Sequence, residues 1–130
     1  MMRRYDPLEA PDPQKWLALG EGERLELVKD YHRRARIRLP NVALHAAAHV
    51  VVETQIALAD ETPALRTAAR LMQEGLDRHE AIHAIGMVLM VRVYEVMKMK
   101  APTGADPKVT YFAELERLTA EEWRRSADSL

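Results

Sequence analysis

Apolar and polar positions along this chain follow one another with the period of helices. In "EGERLELVKDYHRRARIRL", Leu25, Leu27, Val28, Tyr31, Ala35 and Ile37 fall among charges as roughly one apolar stripe, which predicts an amphipathic helix. Before it, "DPQKWLAL" pairs a cap, Asp12, with a proline at the first helical position, Pro13, and Gly20 follows. Pro40 stops the second helix and Asn41 can cap the third, "VALHAAAHVVVETQIALA". Thr62-Pro63 starts a fourth, which Gly75 ends, and Asp77 opens a long fifth, "RHEAIHAIGMVLMVRVYEVMKMK". After the loop "APTGADPK", Asp106-Pro107 begins a penultimate helix, and Thr119 with Glu122 reads as the capping box of a short last one. "HVVVE" is β-branched, but its alanine-rich surroundings from Ala43 to Ala59 favour a helix of about 18 residues. There is no repeat, no low-complexity stretch and no hairpin signal. The pattern predicts an all-α fold: one domain over residues 1–130, a bundle of five to six helices, with a flexible N-terminus at 1–11 and a loop at 100–107.

Composition narrows this picture without changing it. A chain of 130 residues is one ordinary domain, and 48% apolar with 30% charged residues is a globular composition. A formal net charge of −1 gives no global pull towards nucleic acid or an anionic membrane. With no cysteine, disulfides and thiolate metal sites are excluded. The start, "MMRRYDPLEAPDP", is charged and proline-broken, and no stretch reaches the roughly 18 apolar residues of a membrane span. These absences predict a cytoplasmic protein of bacterial type with no membrane partner. Arg33, Arg34, Arg36 and Arg38 crowd one segment, yet Glu21, Glu23, Glu26 and Asp30 precede them on the same helix. They read as a solvated face laced with i,i+4 pairs, with no aromatic platform for nucleic-acid bases. Met87, Met90, Met97 and Met99 suit adaptable packing or a homodimer interface, and "EEWRRSADSL" either docks through Trp123 or frays.

Two segments stand apart. Between Val42 and Glu53 only His45, His49 and Glu53 are polar or ionisable, and between His79 and Val91 only His79, Glu80 and His83 are. A helix apolar all round is a buried one, and buried imidazoles need partners. Residues i and i+4 stack on one face, so His45, His49 and Glu53 form one ridge and His79 with His83 another. Short connections favour antiparallel neighbours, so the third and fifth helices would run parallel. At 1.5 Å per residue, His79 and His83 then arrive about 9–15 Å up the third helix, where His45 to Glu53 span about 6–18 Å. The two ridges come out level, which predicts a His-rich site between two buried helices with ligands His45, His49, His79 and His83. Glu53 is a fifth ligand or an acceptor that fixes a histidine tautomer. Nitrogen with one or two carboxylates suits Zn²⁺, Fe²⁺, Ni²⁺ or Mn²⁺ and argues against Ca²⁺ or Mg²⁺. The alternative is a metal-free interaction or dimerisation module whose histidines bond one another within the core.

"HEAIH" also spells His-Glu-x-x-His, two zinc ligands and a general base in metallopeptidases, and the run continues to Gly86 as in the metzincins. The third histidine of that longer pattern would fall at Leu89 and is missing. Asp77 and Glu80 read as a reciprocal cap, which leaves Glu80 a weak candidate for activating water. A metal-dependent hydrolase with Glu53 or Glu80 as base is therefore the lesser alternative. "LHAAAHVVVETQIAL" followed by "RLMQEGLDRHEAIHAIGMVL" resembles a widespread group of small bacterial proteins known as a domain of unknown function. The likeness runs from about "WLALGEGERLELVKDYH" through the long helix, and "LHxxxHxxxE" and "LDRHEAIHAIG" are its most specific parts. It implies a helical fold in which His45, His49, Glu53, His79, Glu80 and His83 are a shared polar core, and it implies no activity.

Overall fold

The computed structural model describes residues 4–36, 41–98 and 106–128. Seven α-helices follow in order: α1 (Pro13–Ala18), α2 (Glu21–Arg34), α3 (Val42–Ala57), α4 (Ala64–Gln73), α5 (Arg78–Lys98), α6 (Pro107–Arg117) and α7 (Ala120–Asp128). A 3-10 turn, Ala59–Glu61, links α3 to α4, and there is no strand among the described residues. The fold is thus an all-α single domain, with seven helices among the described residues against the five to six expected.

Side chains bond the helix starts much as their sequences suggest. Asp12 accepts from the Lys15 N–H at 3.1 Å, Asn41 from Leu44 at 3.0 Å, Asp106 from Lys108 at 2.9 Å and the Thr119 hydroxyl from Glu122 at 3.1 Å. Each satisfies a backbone donor that the first helical turn cannot. After α4 the chain turns at Gly75, whose φ of +107° suits a residue without Cβ, while the Leu76 N–H reaches back to the Leu71 carbonyl at 3.2 Å. α2 is shorter than the run to Pro40 suggests. It ends at Arg34, and Arg36 adopts a left-handed φ of 56°. Arg33 and Arg34 pair along α2 with Glu26 and Asp30, the expected solvated face, and Arg38 lies outside the described residues.

α3 is the centre of the bundle, in contact with α1, α2, α4 and α5. One of its faces gives Ala46 and Val50 to a cluster with Tyr5, Trp16 and Val28. Another gives Val52 and Ile56 to a larger cluster with Leu71, Ile82, Ile85, Tyr111 and Leu115. His45 and His49 lie on the same face as Val52 and Ile56, one to two turns nearer the helix start. The expectation that this helix is buried all round is too strong: Leu44 is 47% and Val51 40% exposed among the described residues. α5 behaves likewise. Its first half is core, while Val91, Val93, Tyr94, Val96 and Met97 beyond it are exposed. Met87 and Met90 are half-buried, and Met99 lies outside the described residues. Trp123 of α7 docks partly buried against the larger cluster.

The N-terminal segment is a clear departure from expectation. Residues 4–11 are not a loose tail, because Tyr5 and Pro7 are fully buried. The phenol of Tyr5 packs on Trp16 and Tyr31, with ring centroids 5.8 and 6.1 Å apart. Of the loop expected at 100–107, only Asp106 and Pro107 are described, and they are the cap and first residue of α6. No helix among the described residues is long and apolar enough to cross a membrane.

Candidate metal centre

Five imidazoles from three helices meet in one cluster: His32 of α2, His45 and His49 of α3, and His79 and His83 of α5. They are all the histidines of the chain. His49, 2% exposed, is the hub, with its ring centroid 4.7 Å from that of His45, 5.0 Å from His83, 5.2 Å from His32 and 5.3 Å from His79. The level placement of the two ridges, inferred from helix lengths, is realised in these contacts. Two sets of three, His45 with His49 and His83 and His32 with His49 and His79, have potential ligand atoms within 4.8 Å of one another. The geometry of the cluster can therefore hold a metal ion.

His32 is not among the ligands expected from the sequence, where arginines follow it directly. The signal was present: Leu25, Val28 and His32 follow at i, i+3 and i+7, so His32 continues the buried stripe of α2 while Arg33 and Arg34 face water. Its Nδ1 lies 2.8 Å from the Val28 carbonyl oxygen. A carbonyl only accepts, so Nδ1 carries the proton and the lone pair is on Nε2, which is buried and has no hydrogen-bonding partner on the protein. A backbone acceptor that fixes the tautomer in this way is the usual support of a ligating histidine.

Burial, and after it the neighbouring imidazoles, pushes His45 down to about 4, His83 to about 3 and His49 to about 2. His79 is also lowered by burial, against the opposing effect of Asp77, Asp6 and Glu80. The shifts of these four rings favour the uncharged form, the one that binds metal. Between His83 and His49 the Nε2 atoms lie 3.0 Å apart, so one must donate to the other. His32 Nε2, His45 Nε2, His49 Nδ1 and His79 Nε2 are buried without any partner.

Glu53 is placed differently from the expectation that made it a fifth ligand or a tautomer-fixing acceptor. Its carboxylate, 1% exposed, forms a two-pronged pair with Arg78, whose guanidinium donates to the two oxygens at 2.7 and 2.8 Å. The Tyr5 hydroxyl donates to the same carboxylate, and Arg78 also donates to the Pro7 carbonyl at 2.9 Å. Burial, then the charge of Glu53, raises Tyr5 well above the ordinary phenol range and keeps it a donor. The two oxygens are thus spent on a buried clamp that ties the N-terminal segment to α3 and α5. Neither Tyr5 nor Arg78 was singled out from the sequence.

Glu80 caps its own helix as expected. It accepts from the Asp77 N–H at 2.9 Å, while Asp77 accepts from the Glu80 N–H at 2.7 Å. Glu80→Ala should lower stability by about 1 kcal/mol, the worth of a cap, and leave metal content unchanged. Thermal melts paired with elemental analysis check this, and a loss of metal would show that Glu80 belongs to the site. No protein-family model matches the chain, and no curated protein and no solved structure matches it.

Proposed function

We propose that this protein binds a divalent transition metal through the histidine cluster of α2, α3 and α5. One observation carries the reading: four imidazole nitrogens, on His32, His45, His49 and His79, are buried with no protein partner. Histidines kept only for packing would be expected to bond one another or the backbone, since each unpaired buried polar group costs about 1–3 kcal/mol. A shared cation is the partner that satisfies several lone pairs together.

The donor set favours the ion class. With Glu53 and Glu80 engaged elsewhere, it is all imidazole, which suits Zn²⁺, Ni²⁺, Cu²⁺ or Fe²⁺ and takes away the carboxylate that made Mn²⁺ reasonable. Ligands from three helices would make the ion a tie between α2, α3 and α5, a structural or redox role in which protein and metal stabilise each other. Hydrolysis is supported less, because both carboxylates that could serve as base are occupied.

Elemental mass spectrometry on protein purified without a histidine tag tests the reading. At least one equivalent of a transition metal is expected, falling to background in His49→Ala, with a melting temperature that drops on chelation. A protein that comes out empty and refuses added zinc, nickel, copper and iron would overturn it, leaving a buried histidine network.

A further inference from the structure

The five rings do not form one ligand sphere. They divide into two sets of three that share a single member, His49. An ion bound at about 2.0–2.1 Å from each nitrogen keeps its ligands within about 4.2 Å of one another. Each set, with ligand atoms within 4.8 Å, is close to that size. An imidazole has two nitrogens on opposite edges of the ring, so a residue common to two sets can give a different atom to each. For His49 both atoms are accounted for in this way: Nε2 faces His83 Nε2 at 3.0 Å, and Nδ1 is buried without a partner. The remaining unpartnered atoms fall one to a ring, Nε2 of His45 beside His83 on one side and Nε2 of His32 and of His79 on the other. If the site held one ion between His45, His49 and His83, then His49, His32 and His79 would each keep a buried nitrogen without a partner.

Resting on the metal-binding reading above, we infer that the cluster is a two-ion centre in which His49 bridges the ions as an imidazolate. One ion takes His45, His83 and His49 Nε2, and the other takes His32, His79 and His49 Nδ1. On binding the second divalent ion His49 gives up its remaining N–H proton to solvent, so two cations enter and one proton leaves that ring. The added positive charge is partly offset by Asp77, Asp6 and Glu80, whose charges act on His79. The ion class is again the borderline divalent metals that imidazole prefers, zinc, copper, nickel or iron.

Copper(II) alone is the probe. Metal-free, tag-free full-length protein is titrated with Cu²⁺ and followed by elemental analysis after desalting and by electron paramagnetic resonance. Two equivalents should be retained, and the signal present after the first should collapse as the second enters, because an imidazolate couples the two spins. His32→Ala, which removes a ligand from one set only, should retain one equivalent with an uncoupled signal. Retention of one equivalent by the unaltered protein overturns the two-ion centre and leaves the metal-binding reading intact. Two equivalents with the full signal of isolated ions overturn the bridge. No retention of copper overturns the two-ion centre, and refusal of added zinc, nickel and iron as well overturns the metal-binding reading.

Discussion

Glu53→Ala should lower the melting temperature by about 10–20 °C, the shift that a loss of about 3–5 kcal/mol produces in a domain of this size. The size of the effect comes from what is left behind. Arg78 is 8% exposed and keeps its charge, and without Glu53 its guanidinium would hold only the Pro7 carbonyl. Tyr5 would lose its acceptor in a fully buried setting. Arg78→Met should be comparably damaging, since it strands the carboxylate instead. The double replacement Glu53→Leu with Arg78→Met removes both charges and should be less harmful than either single change, because a buried ion pair is worth little against an apolar pair of similar volume. Thermal melts of these variants and of Glu53→Leu alone check the pattern, and losses in the Glu53→Leu and Arg78→Met singles that simply add in the double would show that the pair is not coupled. Glu53→Gln should lose stability yet keep the wild-type metal content. A drop in metal per folded molecule would return Glu53 to the ligand set.

The metal-free protein should lose stability steeply below pH 6.5, well before its carboxylates titrate. In the unfolded chain a histidine takes up a proton near its ordinary 6.5, whereas in the fold His83 waits until about 3 and His49 until about 2. Between those values the unfolded state binds more protons than the native one, so stability is full above pH 6.5 and falls as pH falls. Each such histidine contributes a slope of about 1.4 kcal/mol per pH unit. After a discount for the partial exposure of His83, the two together give roughly 2 kcal/mol per unit. Over two units that is a large part of the 5–15 kcal/mol typical of a small domain. Urea unfolding in the presence of chelator at pH 7.5, 6.5, 5.5 and 5.0 checks it. A flat profile across this window would mean that the imidazoles are not held neutral by burial.

The histidine site was legible in part, and the part has a physical boundary. His45 with His49 and His79 with His83 are visible because i and i+4 share a face in any α-helix, whatever the rest of the chain does. The Asp77–Glu80 cap is equally local: three residues apart, both partners are in one turn. His32 was legible but masked by the arginines that follow it, and only its seven-residue spacing from Leu25 set it on the buried side. Glu53 shows the limit. Its place on the ridge below His49 made it look like a ligand, but its partners are 25 and 48 residues away in sequence. Nothing in the local pattern says which of two nearby charges will claim a carboxylate.

By itself, then, the sequence determined the elements: where helices begin, which residues cap them, which histidines stack, and that the site would contain no thiolate. The tertiary structure decided which ridges meet. It brought α2 against α3 so that a fifth histidine joined four. It folded the N-terminal segment inward so that Tyr5 joined Arg78 of α5 on Glu53, and it left Leu44 and Val51 exposed on a helix apolar all round. Helical spacing is set by the backbone within a few residues, whereas the partners of a buried charge are set by how separate helices pack, and that packing depends on every surface in the bundle at once.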